Sequence, residues 1–288
     1  MKKNRSTSAE LNSLVKQVKD LVAEKGSPIV ISVANQKGGV GKSATVDNLA
    51  ELFASFDLIT DIVDIDAQSS ITNLKTDLRS IIDQDLPEMT QVMLEEESLE
   101  NITYQIKNNL FISPTTLRLS DAELNLVNAT LRELILKKNI ENLKTKFDII
   151  LIDCPPSRGL LTVNALSASD YILIPVQSEY QALVSIELLF STINKVKNSI
   201  NPNLKELGYV VTMATNTNHS DEIIEEVKAD DKAEVISIID RSIVVSDAGV
   251  ANMSAYEFDS NNKAGIAYYN LAVTVLKKIV SEGVVQNG

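Results

Sequence analysis

Three stretches of this chain combine residue types that handle phosphate. The first is Asn35-Gln36-Lys37-Gly38-Gly39-Val40-Gly41-Lys42-Ser43, which follows the apolar run Pro28 to Val33. Glycines without Cβ atoms let a backbone curl so that successive N–H groups face inward on anionic oxygens. Lys42 is spaced to reach the β- and γ-phosphates, and the Ser43 hydroxyl to ligate Mg²⁺. Ala44 opens a helix whose positive N-terminal dipole adds to the same cradle. The loop is built to hold a nucleoside triphosphate. A glycine is usual five residues before Gly41; Gln36 stands there instead, and a second lysine, Lys37, leads the loop.

The second stretch, Asp61-Ile62-Val63-Asp64-Ile65-Asp66-Ala67-Gln68, is a short buried-type strand ending in acids. The third, Phe147-Asp148-Ile149-Ile150-Leu151-Ile152-Asp153-Cys154-Pro155-Pro156, has the Walker B form, with Asp153 holding Mg²⁺ through water. Acids at the carboxyl ends of central strands sit at the crevice where doubly wound sheets bind ligands. They are rarely left there unpartnered, because burying a lone charge is expensive. Pro155 and Pro156 stiffen the turn that follows.

The elements that must position these groups are legible as alternating apolar runs and helical stripes. Strands are expected at 28–33, 61–65, 110–113, 147–153, 171–177 and 208–213, with helices between them. Asp121 to Lys146 reads as one long helix, and 264–281 as a closing helix with Ala264, Ala267, Tyr268, Leu271, Val275 and Ile279 on one face. Residues 71–108 read as helical pieces without a chemical constellation, their Glu95-Glu96-Glu97 run a solvated face. Such alternation predicts an α/β fold: a single doubly wound, mainly parallel sheet with helices on both faces. Residues 29–288 read as one domain. Before it, residues 1–28 form an N-terminal amphipathic helical extension, with Leu11, Leu14, Val15, Val18, Leu21 and Val22 on its apolar stripe. A capping box from Thr7 to Glu10 starts it, Lys2, Lys3 and Arg5 precede it, and Gly26-Ser27-Pro28 stops it. The stripe favours packing on the body of the domain over a partner-binding arm.

Composition narrows the function classes. At 288 residues and 44% hydrophobic content the chain can bury an ample core. One cysteine, Cys154, excludes an internal disulfide and fits a reducing cytosol; with one histidine, His219, in a polar stretch, a His/Cys zinc site is excluded too. The polar N-terminus carries no secretory signal, and no apolar run is long enough to span a bilayer. The formal net charge of −12 doubles in a dimer, so contact with nucleic acid must rest on a local basic patch.

The segment Lys37-Gly38-Gly39-Val40-Gly41-Lys42-Ser43 resembles the deviant Walker A motif of the ParA/MinD family of P-loop ATPases, and the Asn35-Gln36 before it resembles the ParA (Soj) branch. The resemblance extends in order through Asp64-x-Asp66 (switch I), Asp153-Cys154-Pro155-Pro156 and Ser157 to Ser169 (switch II), and a proline-bearing strand followed by Glu179-Tyr180-Gln181-Ala182-Leu183. It continues through the Thr212 to Asn216 exit near the adenine base and the Ile-Ile-Asp-Arg segment ending at Arg241. Ala67 and Asp240 stand where the family usually has proline.

That resemblance implies a SIMIBI-like ATPase that binds ATP and Mg²⁺. Lys37, Gly38, Gly39, Val40, Gly41, Lys42, Ser43, Ala44 and Met213 would contact nucleotide. Asp66 would orient the attacking water. Ser43 would ligate the metal, with Asp153 and, less directly, Asp64 acting through water. It further implies an ATP-bound homodimer in which Lys37 crosses to the partner's phosphates and Gly38 stays bare for the partner backbone. Non-specific DNA binding, a ParB-type centromere-binding partner that stimulates hydrolysis, and a cytoplasmic, nucleoid-associated location follow. Arg241 and Lys263 are the candidate DNA contacts, ahead of Lys277 and Lys278. The alternatives are a MinD-like membrane-cycling ATPase, for which residues 271–288 offer little basic or aromatic anchoring. A nucleotide-binding co-repressor or adaptor with little turnover is a second. A metabolic kinase would need an acceptor constellation that is absent from the sequence.

Overall fold

The computed structural model describes residues 8–127 and 129–286, with backbone alone for 284–286. The basic residues and the Thr7 cap expected ahead of the first helix lie outside that range. The strands are β1 (Ile29–Val33), β2 (Thr60–Asp64), β3 (Tyr104–Lys107), β4 (Leu110–Ser113), β5 (Ile149–Asp153), β6 (Tyr171–Gln177), β7 (Lys205–Ala214) and β8 (Val235–Asp240). They form one 8-stranded sheet in the order β3-β4-β2-β5-β1-β6-β7-β8. All pairs are parallel except β3 with β4, an antiparallel edge that the sequence reading missed. Only partly buried along its length, β3 has no continuous apolar run to mark it.

The helices are α1 (Ser8–Lys25), α2 (Lys42–Ser55), α3 (Ser70–Lys75), α4 (Leu78–Asp83), α5 (Met89–Met93), α6 (Leu99–Ile102), α7 (Leu119–Leu126), α8 (Ile135–Asn142), α9 (Leu160–Ala168), α10 (Ala182–Ser199), α11 (Asn218–Ala229), α12 (Ile243–Val250), α13 (Ala255–Phe258) and α14 (Lys263–Gln286). Strand residues alternate between two cores. Ile29, Ile31, Val33, Ile149 and Leu151 face α1, α2 and α14, whereas Val30, Ile150 and Ile152 face α5 to α11. Burying each such side chain contributes roughly 1.5–3 kcal/mol.

The long helix expected over 121–146 is instead α7 and α8 with a break between them. Leu131 sits in the left-handed region (φ 53°), which stops a helix. Asn164 of α9 then bonds into the break, donating to the Arg132 carbonyl at 2.7 Å and accepting from Leu136 N–H. Helix α1 packs on the body as its stripe predicts: Leu14, Val18 and Val22 are buried in the core they share with α14. Lys277 of α14 is paired with Glu10 at 2.6 Å.

Lys75, in the 71–108 stretch that carries no chemical constellation, has a structural role. Its ammonium is fully buried between Asp47 and Glu51 of α2, at 2.6 Å from each, and Lys107 of β3 also reaches Glu51. Two acids and two lysines thereby tie the helix behind the glycine loop to the short helix after β2. Burial pushes Asp47 up to about 6, with Lys75 opposing.

Candidate nucleotide site

Chain register builds the site. Strand β5 lies between β1 and β2, and Asp153 is aligned with Val33 on one side and Asp64 on the other. The glycine loop therefore leaves β1 at the level where β5 and β2 end in aspartate. Because β1 feeds β2 on one side and β5 crosses it to reach β6, this is also where the chain reverses direction across the sheet, the place where open α/β sheets hold ligands.

The loop takes the shape expected of a phosphate cradle. Gly39 (φ 76°) and Gly41 (φ 80°) occupy the left-handed region that side chains resist. Gly41 also lies under β7, where a Cβ would sit 3.6 Å from Met213 and Thr212. Thr212 Oγ1 donates to the Val40 carbonyl at 2.8 Å, and Met213 itself has φ 53°. A non-glycine residue held left-handed costs on the order of 1 kcal/mol and marks a place the surroundings impose. Helix α2 starts at Lys42 with Gly41 as its cap residue, so its first N–H groups face the loop with no side chain covering them.

The leading edge of the loop is fastened to β6 and α10. Asn35 Nδ2 donates to the Pro175 carbonyl at 2.7 Å, and its Oδ1 accepts from Lys37 N–H. Gln36 Nε2 donates to the Leu188 carbonyl at 2.7 Å, which gives the glutamine a use where glycine is usual. Lys37 Nζ is paired with Glu179 at 2.5 Å. Nothing in the order of residues pointed to that pair.

Electrostatics single out Asp153. It is fully buried, and among the described residues neither carboxylate oxygen has a hydrogen-bond partner of ordinary geometry, the Ser43 hydroxyl being a nearby donor. Burial first, and the neighbouring Asp64 next, hold its proton affinity well above the usual carboxylate range; the Ser43 hydroxyl and Lys42 offset this only in part. Lys42 is itself buried, which lowers its ammonium, while Asp153 and Asp66 pull the other way. Asp64 is satisfied. Its Oδ2 accepts from Thr72 Oγ1 at 2.6 Å and Thr72 N–H, its Oδ1 from Asp66 N–H, and burial raises it to about 7. Asp66 is half-buried, and its Oδ1 accepts from Gln68 N–H at 3.0 Å. An orphaned buried carboxylate beside a hydroxyl and a lysine fits Mg²⁺, which takes one or two protein oxygens and completes its shell with phosphate and water.

The other sequence candidates lie apart from this centre. Arg241 and Lys263 are exposed, and their chain neighbours are joined by a hydrogen bond that Ser242 Oγ donates to Asn262 Oδ1 at 3.3 Å. Arg241 is also near enough to Glu179 to lower its proton affinity. His219 is exposed and Cys154 buried, and burial raises the thiol far above its ordinary value. Gly38 lies 4.0 Å, by its missing Cβ, from Pro156 of the following loop.

The chain matches the family described as an AAA domain over residues 29–206. It is 35% identical over 248 residues to the sporulation initiation inhibitor protein Soj of Bacillus subtilis (strain 168), covering 85% of this chain and 97% of Soj. Among solved structures it is similar to the cobyrinic acid a,c-diamide synthase of Mycobacterium smegmatis with bound ATP analogue and magnesium (29% identity, 88% of this chain and 97% of that one, TM-score 0.77). It is similar as well to a plasmid partition protein of Borrelia burgdorferi B31 bound to AMPPNP (26% identity, 87% and 99% coverage, TM-score 0.73). With a cradle of this shape and relatives matched over nearly their whole length, the chain belongs to the ParA/Soj family of partition ATPases, and it is an ATPase that uses ATP with Mg²⁺.

Proposed function

We propose that this protein partitions DNA by an ATP-gated cycle of dimerisation. The observation that supports the reading is the alignment of the glycine loop with Asp153 and Asp64, which puts groups suited to holding a γ-phosphate and its metal at one sheet edge. Gly38 to Ala44 cradle the phosphates, Lys42 neutralises β and γ charge, and Met213 borders the base. Ser43 and Asp153 would hold Mg²⁺, which when bound supplies positive charge to the β- and γ-oxygens. Asp66 keeps one oxygen for the attacking water, and Asp64, whose oxygens are taken up by Thr72 and Asp66, holds that loop in place. Residues 29–288 form the ATPase domain and residues 1–28 its N-terminal helical extension.

Two copies close face to face over two ATP molecules, with Lys37 of each reaching the other's phosphates. Cleavage removes the shared anion, and the opposed positive loops then separate. The ATP dimer binds DNA without sequence preference through Arg241 and Lys263, and a ParB-type partner stimulates hydrolysis and release on the nucleoid. Helix α14 speaks against the membrane-cycling alternative, because its apolar residues Leu271, Val275 and Ile279 are buried in the domain and not free to enter a bilayer surface. Chromatography and DNA retention with ATP, ADP and no nucleotide test the cycle. A dimer and DNA retention that appear with ATP alone support it; identical elution in all three states refutes it.

A further inference from the structure

The reading above sends Lys37 across to a second subunit, yet in the single chain the lysine is already engaged. Its Nζ lies 2.5 Å from Glu179 Oε2, with the lysine side chain 21% exposed and the glutamate 50%. Glu179 follows β6, the strand that also anchors Asn35 through Pro175, and it precedes α10, which anchors Gln36 through Leu188. Three consecutive loop residues are thus fastened to one neighbouring segment, and only the Lys37 contact is an ion pair that a stronger anion can displace.

We propose that Glu179 is a positioning residue that parks Lys37 within its own subunit and so sets the threshold for ATP-driven dimerisation. The inference rests on Lys37 acting in trans. In the free chain Lys37 is held by one carboxylate at the surface, worth little because water and salt screen it. A triphosphate in an apposed subunit carries more charge in a drier setting and takes the lysine over. ADP lacks the γ-phosphate and leaves the lysine with Glu179. Each subunit must release its own lysine before the pair can close, so the parked state lowers the competent fraction twice. Exposed pairs of this kind shift an equilibrium by roughly 1.5- to 5-fold, and two of them by about 2- to 25-fold in the dimer constant.

Sedimentation velocity in Mg-AMPPNP, across protein concentrations and at 0.1 and 0.5 M KCl, tests this with Glu179→Gln, Lys37→Ala and the double variant. The expected result is a dimer roughly 2- to 25-fold tighter for Glu179→Gln at low salt. That advantage shrinks toward unity at high salt, and both variants lacking Lys37 stay monomeric. A thermal melt matching the wild type establishes that Glu179→Gln is folded. Glu179→Gln dimerising no more tightly than wild type, with Lys37→Ala monomeric, overturns the parking role and leaves the trans reading standing. Lys37→Ala dimerising like the wild type overturns the trans reading and the parking role with it.

Discussion

Asp64 and Asp153 are register partners at the ends of β2 and β5, and among the described residues Asp64 is fully hydrogen-bonded while Asp153 lacks a partner of ordinary geometry. Two buried carboxylates side by side repel, so the fold invests Thr72 and the Asp66 N–H in Asp64 and holds Asp153 free. Such a buried carboxylate destabilises the empty protein, and the Mg²⁺ proposed to bind there would offset that cost.

Removing that charge has opposite effects on the empty and the loaded protein. Asp153→Asn is expected to raise the stability of the nucleotide-free protein by about 1–3 kcal/mol, read as a higher Tm. The further rise on adding Mg-ATP disappears, and turnover falls by about 100-fold or more. Retention of a full Mg²⁺-dependent Tm shift in this variant removes Asp153 from the metal site.

Asp61 gives a pH dependence remote from catalysis. It is fully buried on β2, its Oδ2 accepts from Ser113 Oγ at 3.0 Å, its Oδ1 has no hydrogen-bond partner among the described residues, and burial pushes it up to about 8. Because the folded value is raised, the folded state keeps its proton while the unfolded chain loses it above about pH 4. The stability contribution is whole below that pH and is lost as pH rises through about 8. Asp61→Asn is expected to flatten the decline in unfolding free energy between pH 5 and 9, measured by denaturant titration, by roughly a few kcal/mol at the alkaline end. Asp47 and Asp64 retain part of the slope. An unchanged slope in the variant shows that Asp61 stays ionised in the fold.

The DNA assignment predicts a salt signature. Arg241 and Lys263 flank the hydrogen-bonded Ser242 and Asn262, and under the DNA assignment they would form one small basic patch on an acidic molecule. Arg241→Ala with Lys263→Ala is expected to weaken binding to unrelated duplexes equally and to reduce the slope of log K against log[salt] by about 1.8. Fluorescence anisotropy over a salt series measures it, and an unchanged slope moves the DNA surface elsewhere.

What could be read in advance follows the range of the interactions. The glycine loop, Asp66 and Asp153 were legible because each is a local pattern: glycines at fixed spacing, or an apolar strand run ending in acid. Lys75 was not, since a lysine in a polar stretch looks solvated until α3 is laid on α2 and its acids close around it. Glu179 belongs to a local motif, but its pairing with Lys37 spans 142 residues and exists only once β6 lies beside β1. The break at Leu131 is likewise imposed from outside, by Asn164 of another helix. The edge strand β3 lacks the buried run that marks its neighbours, so nothing in its composition separates it from a loop.

The molar mass of the protein in Mg-AMPPNP, measured by light scattering for the wild type and Lys37→Ala, tests the central claim most directly. A wild type of twice the 31.5 kDa chain mass beside a Lys37→Ala variant that stays at the single-chain value is the expected result. A wild type that remains at 31.5 kDa with nucleotide bound, or a Lys37→Ala dimer as tight as the wild type, contradicts it.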